Sequence, residues 1–70
     1  MKTLKITTEY ITLQQFLKIE NFISSGGEAK YYLQDNNVYV NNELENRRGR
    51  KLYDGDIVVF DGEEIKVEKW

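Results

Sequence analysis

Ser24-Ser25-Gly26-Gly27-Glu28-Ala29-Lys30, followed eight residues later by Val38-Tyr39-Val40-Asn41-Asn42, is the stretch from which the fold is read. Ser25 stands three residues ahead of Glu28, the spacing of a capping box. The serine hydroxyl can then meet the third helical amide while the glutamate reaches back. Ala29, Tyr32 and Leu33 recur at i, i+3 and i+4 and give this helix an inner face, and Asn36-Asn37 stops it near residue 35. Val38-Tyr39-Val40 then alternates as a strand, valines inward and tyrosine outward. Asn41-Asn42 tolerates the positive φ of a tight hairpin turn.

Upstream, Thr12 and Gln15 repeat the capping-box spacing, and Leu13, Phe16 and Leu17 predict an amphipathic helix to about Glu20. Asn21 can end it in a left-handed conformation, with Phe22-Ile23 as an apolar turn beneath the second helix. Leu4 and Ile6 alternate with Lys5 and Thr7, predicting a first strand over residues 3 to 8. Downstream, Glu43-Leu44-Glu45 reads as the return strand, the basic residues after it as an extended loop, and Asp54-Gly55-Asp56 as a turn into Ile57-Val58-Val59-Phe60, which is apolar on both faces. Asp61-Gly62 is a further hairpin signal before a last strand carrying Ile65 and Val67. The expected fold is α+β, two short packed helices against a small, mostly antiparallel sheet. No linker, repeat or low-complexity tract divides residues 1–70, which read as a single domain.

Composition narrows the function. With no cysteine and no histidine, the chain lacks thiolate chemistry, the commonest metal ligand and the usual proton shuttle. No cofactor, metal site or catalytic residue is expected. The amino-terminal residues alternate too regularly for a signal peptide, and no run approaches the roughly 20 apolar residues of a membrane span. A cytoplasmic monomer is expected. The net charge is −2, yet Arg47-Arg48-Gly49-Arg50-Lys51 places four positive charges in five residues, so the rest of the chain carries −6. Guanidinium groups offer a planar fork of donors to phosphate and stay charged at any relevant pH. The plain alternative is a solvated charged loop.

Gly26 and Gly27 admit two readings. They leave the first-turn amides of the second helix open to a phosphate, or they only let the chain turn tightly. Glu28 bears against the first, because its carboxylate can cap those donors. Tyr39 can stack on an unpaired base, with Tyr31 and Tyr53 flanking it, or cover the sheet. Tyr32, Phe16 and Phe22 are expected in the core and Trp70 as a lid on the open end of the sheet. Asp54, Asp56, Asp61, Glu63 and Glu64 are close enough in sequence to suggest cation binding or acid/base chemistry. Their place in two turns makes ordinary turn chemistry the stronger reading.

In order and spacing, Leu13-x-x-Phe16-Leu17, Ser24-Ser25-x-x-Glu28-Ala29-Lys30, Val38-Tyr39-Val40-Asn41-Asn42 and Gly55-Asp56-x-Val58 resemble the S4 RNA-binding domain. Its pair of helices plus hairpin is termed the αL motif, here about residues 11–60. The short chain is similar to the stand-alone YaaA-type S4-like proteins of bacteria. The resemblance implies non-catalytic binding of structured RNA, with ribosomal RNA or an assembling ribosomal particle as target. The matching contact residues are Ser25, Gly26, Gly27 and Lys30 on the second helix and Asn41 and Asn42 on the turn. Most S4 domains carry an arginine after the paired serines and another at the start of the first helix, where this chain has Gly26 and Thr12-Leu13-Gln14. The stand-alone proteins resemble it in having glycines there and a basic loop downstream, which suggests that Arg47, Arg48, Arg50 and Lys51 take over part of the charge role. An adaptor docking an acidic protein through the arginine loop and a DNA-binding accessory factor are the alternatives.

Overall fold

The computed structural model describes residues 1–70. Its elements run β1 (Lys2–Ile6), β2 (Ile11–Thr12), α1 (Leu13–Ile19), α2 (Glu28–Asp35), β3 (Val38–Val40), β4 (Glu43–Leu44), β5 (Lys51–Leu52), β6 (Ile57–Phe60) and β7 (Glu63–Lys69). Alternation along the longer strands decides the layering. Val38 and Val40 pair with Phe60 and Val58, Val58 pairs with Ile65, and Leu4 pairs with Val67, so one sheet face is almost wholly aliphatic and aromatic. The sheet order is β1-β7-β6-β3-β4. Only β1 and β7 run parallel, which makes the sheet mixed and mostly antiparallel, and sets the first and last strands side by side.

Both helices cover that face. Leu13, Phe16 and Leu17 of α1 are fully buried, and the Phe16 ring meets Phe60 edge-on with centroids 6.2 Å apart. The capping box of α1 is formed in both directions, Gln15 N donating to Thr12 Oγ1 (3.2 Å) and Thr12 N to Gln15 Oε1 (2.9 Å). At its other end Asn21 is left-handed (φ 65°). Asn21 N donates to Lys18 O and Phe22 N to Leu17 O, the double closure of a Schellman motif. That closure aims Phe22 at Phe60, 4.4 Å between centroids, and at Tyr32. Phe22 and Tyr32 are half-buried at the margin of the core rather than inside it.

Four expectations are corrected. The second capping box does not form: α2 begins at Glu28 with Gly27 as its cap residue and no side-chain cap bond. Residues 25–28 instead make a turn closed by Glu28 N to Ser25 O (3.1 Å), so the Ser25 hydroxyl sits two residues too early to cap. The first strand ends at Ile6, not residue 8, and Ile11–Thr12 forms a second strand. That strand pairs with Lys51–Leu52 in a separate small sheet, so the basic segment is anchored at its end instead of being loop throughout. Leu52 is completely buried. Trp70 is no lid. It is 76% exposed, and the Lys5 ammonium lies 4.3 Å from its ring.

The hairpin turn is as the asparagines suggest. Asn41 (φ 51°) and Asn42 (φ 70°) both take the positive φ of a type I′ turn. Asn41 does more, since its Nδ2 donates to Asp56 Oδ1 (2.9 Å) and its Oδ1 accepts from Ile57 N (3.0 Å). Asn41→Ala should therefore cost about 2–3 kcal/mol, from two lost hydrogen bonds and a strained φ. Asn42→Gly, which loses no side-chain bond, should change stability by less than about 0.5 kcal/mol. Urea midpoints of the two variants check the contrast.

Candidate nucleic-acid interface

The segment from Glu45 to Lys51 is bound to the protein by its backbone. Leu13 N donates to Arg50 O (2.8 Å) and Gln14 N to Arg48 O (2.9 Å). A helix start leaves its first amides without intrahelical partners. In α1 these bonds, with the capping threonine, satisfy them from within the molecule. The start of α1 is consequently closed to a phosphate.

Glu45 anchors the same segment by its side chain. It is only 5% exposed, and its carboxylate accepts from Arg47 Nε (2.8 Å), Nη2 (3.1 Å) and backbone N (3.0 Å), and from Arg50 Nη1 (2.8 Å). The hydrogen bonds from Arg47, joined by that from Arg50 and opposed by burial, hold its pKa at about 2. Arg47 is raised in return. The arginine run is thus not a solvated loop of four equal charges. Arg47 and Arg50 share one buried carboxylate, whereas Arg48 and Lys51 lie in no ion pair.

Glu45 was missed in the sequence, although a signal exists. A two-residue turn pairs Val40 with Glu43, so two residues further along Glu45 falls opposite Val38, on the core side. Glu45 N donates to Val38 O (2.8 Å). A carboxylate placed there needs cations, and arginines follow at 47 and 50.

The start of α2 is built differently. No protein acceptor meets the amides of Ser24, Ser25, Gly26 or Gly27, and the Glu28 carboxylate caps none of them. Gly26 lies against α1, where a Cβ would clash with the Gln14 side-chain amide. Gln14 therefore touches both loops, its backbone bound to Arg48 and its side chain against Gly26. Around Gly27 a Cβ would meet nothing within 4 Å, and its φ of −64° suits any residue. Lys30 is exposed on the first turn of α2.

The other candidate residues are placed elsewhere. Tyr39 is on the sheet face away from the helices, between Leu44 and Val59, so it does not share a surface with the glycines. The Asn41 side chain is engaged by Asp56 and Ile57, and Asn42 is exposed at the turn. Tyr53 pairs with Tyr10, not with Tyr39 or Tyr31. Asp56 also accepts from Tyr53 N and Asp54 from Lys69 N, which is turn chemistry. No helix is long and apolar enough to cross a membrane.

A family model described as "S4 domain" matches residues 4–68. The chain is also 56% identical over 59 residues to the "Probable ribosome maturation protein RlbA" of Bacillus subtilis (strain 168), an alignment that covers 84% of this chain and 83% of that one.

Because the folded-state pKa of Glu45 lies below the ordinary carboxylate value, its contribution is present above about pH 4.5 and is lost as pH falls toward 2. Glu45→Gln should remove about 2–3 kcal/mol at neutral pH and flatten the acid limb of the stability curve between about pH 5 and 2. Denaturant titration across that range is the measurement. An acid limb as steep as that of the parent chain would count against the assignment.

Proposed function

Because this chain belongs to the S4 domain family, we propose that residues 1–70 act as one RNA-binding domain that holds structured RNA without chemical change. Within it, residues 11–60 form the αL motif. The observation that carries this reading is the contrast between the two helix starts. The amides of α1 are closed by the basic loop, and those of Ser24 to Gly27 before α2 are open. The first helical amides of α2, Glu28 N and Ala29 N, bond to Ser25 O and Gly26 O, so the open donors are those of the turn that leads into the helix, where its positive dipole end favours a phosphate. Gln14 links the two loops, its backbone N–H bonded to Arg48 O and its side chain against Gly26, and Lys30 adds charge from the first turn of α2. Arg47 and Arg50 keep unused guanidinium donors, but with half their charge answered by Glu45 they are secondary contacts. Ser25 offers its hydroxyl from the same turn and Asn42 its amide from the hairpin.

The similar Bacillus subtilis protein is described as a "Probable ribosome maturation protein", and this supports ribosomal RNA or an assembling ribosomal particle as the target. In this reading the chain acts as a cytoplasmic monomer. The −6 carried by the rest of the chain restricts polyanion binding to the one basic face.

Titration with ribosomal RNA fragments at several salt concentrations tests the proposal. Three to four phosphate contacts would give a slope of log K against log salt of about −2 to −4. Gly27→Asp should keep the fold, since the position is open and its φ of −64° suits any residue, and weaken binding about tenfold by placing a carboxylate among the phosphate donors. Arg48→Ala with Lys51→Ala should cost about 2 kcal/mol of affinity at unchanged thermal stability. Normal binding by Gly27→Asp would remove the helix start from the interface. Complexes that survive ribonuclease would point to a protein partner.

A further inference from the structure

Tyr10 and Tyr53 form an exposed aromatic ridge at the end of the small second sheet. The pairing of Ile11 with Leu52 sets the flanking Tyr10 and Tyr53 side by side, ring centroids 5.7 Å apart and planes inclined at 49°. Burial in the protein does not account for the pair, since Tyr10 is 39% and Tyr53 44% exposed. Hydrogen bonding of the hydroxyls does not account for it either. The bonds made by these residues run through backbone atoms, from Thr8 Oγ1 to Tyr10 O and from Tyr53 N to Asp56 Oδ2.

The ridge stands between two recesses that both carry cations. Tyr53 lines one of ≈370 Å³ together with Arg47, Arg50 and Lys51. Tyr10 lines the other, of ≈790 Å³, with Lys18 and with Lys5, whose ammonium also rests against Trp70. Glu9 borders the wider recess but is paired with Lys69 at 3.0 Å. The Lys51 ammonium lies over one face of the Tyr10 ring, 4.9 Å from its centroid, and links ridge to recess.

We infer that the Tyr10–Tyr53 ridge is a stacking platform for an unpaired base of the bound RNA, with the phosphates on either side of that base received by the two cationic recesses. A π face flanked by charge on both sides matches one nucleotide and its two phosphates. A duplex keeps its base faces stacked inside and presents none to a ring. An acidic peptide would use the cations and leave the aromatic pair without a role. The inference rests on the RNA-binding reading and extends its contact surface from the basic loop across to the segment between β1 and β2.

The full chain is mixed with fragmented bacterial ribosomal RNA, irradiated with short-wave ultraviolet light, digested, and searched by mass spectrometry for nucleotide adducts. The parent chain should give adducts on Tyr10 or Tyr53. In titrations with the same fragments, Tyr10→Ala and Tyr53→Ala should each weaken binding about tenfold, and Tyr53→Phe, which keeps the ring, by no more than about twofold. The salt slope should stay at its parent value, because a lost stacking contact is sequence-tolerant and uncharged whereas a lost cation reduces the slope. Thermal unfolding of each variant establishes that it is folded. Adducts confined to other peptides, with parent affinity in both alanine variants, would overturn the platform and leave the RNA-binding reading standing. Absence of any RNA binding by the parent chain would overturn both.

Discussion

A carboxylate held inside the molecule by two arginines of one loop governs the basic surface of this protein. Moving a carboxylate out of water costs several kcal/mol unless charge and hydrogen bonds replace its hydration. Glu45 receives four such bonds, three from Arg47 and one from Arg50. The loop is drawn in by that demand, and in this position the carbonyls of Arg48 and Arg50 reach the first amides of α1. One ion-pair cluster thus fixes a loop, finishes a helix cap and decides which cations remain for a ligand.

A division of labour follows. Arg47 and Arg50 serve the fold first, and Arg48 and Lys51, carrying no acidic partner, give the surface most of its free positive charge. Since four adjacent cations would repel one another as well as attract phosphate, partial neutralisation from beneath lets the loop hold one conformation. The acidic turns are occupied by their own backbone. Asp54 and Asp56 each accept from a backbone amide, so these carboxylates shape the Asp-Gly-Asp turn and close the hairpin through Asn41.

What could be read from the sequence was what depends on neighbours along the chain. The Thr12–Gln15 box, the left-handed Asn21, the Asn41-Asn42 turn and the alternation of Val38 with Val40 are local, and each is found where its pattern put it. The contacts that build the interface are not local. Glu45 with Arg50, Gln14 with Gly26, and Tyr10 with Tyr53 join residues whose proximity follows only from how the sheets and helices close. The Ser25–Glu28 box shows the opposite failure, a local signal that did not win. The glycines between its two members form a turn of their own, and with Gly26 pressed on Gln14 the helix starts later.

The two glycines can now be separated by physical cause. Gly26 has a mild structural reason, because a side chain there would meet the outer end of the flexible Gln14 side chain, which must move aside. Gly27 has none: its φ is ordinary, the space beside it is empty, and a glycine at such a site costs about 0.4–1 kcal/mol relative to alanine through the freedom it gives the unfolded chain. Beside it, the amides of Ser24 to Gly27 find no acceptor in the protein. In a small domain, whose stability is modest to begin with, a position that gives up stability without a packing return is what the proposed phosphate contact at this turn requires.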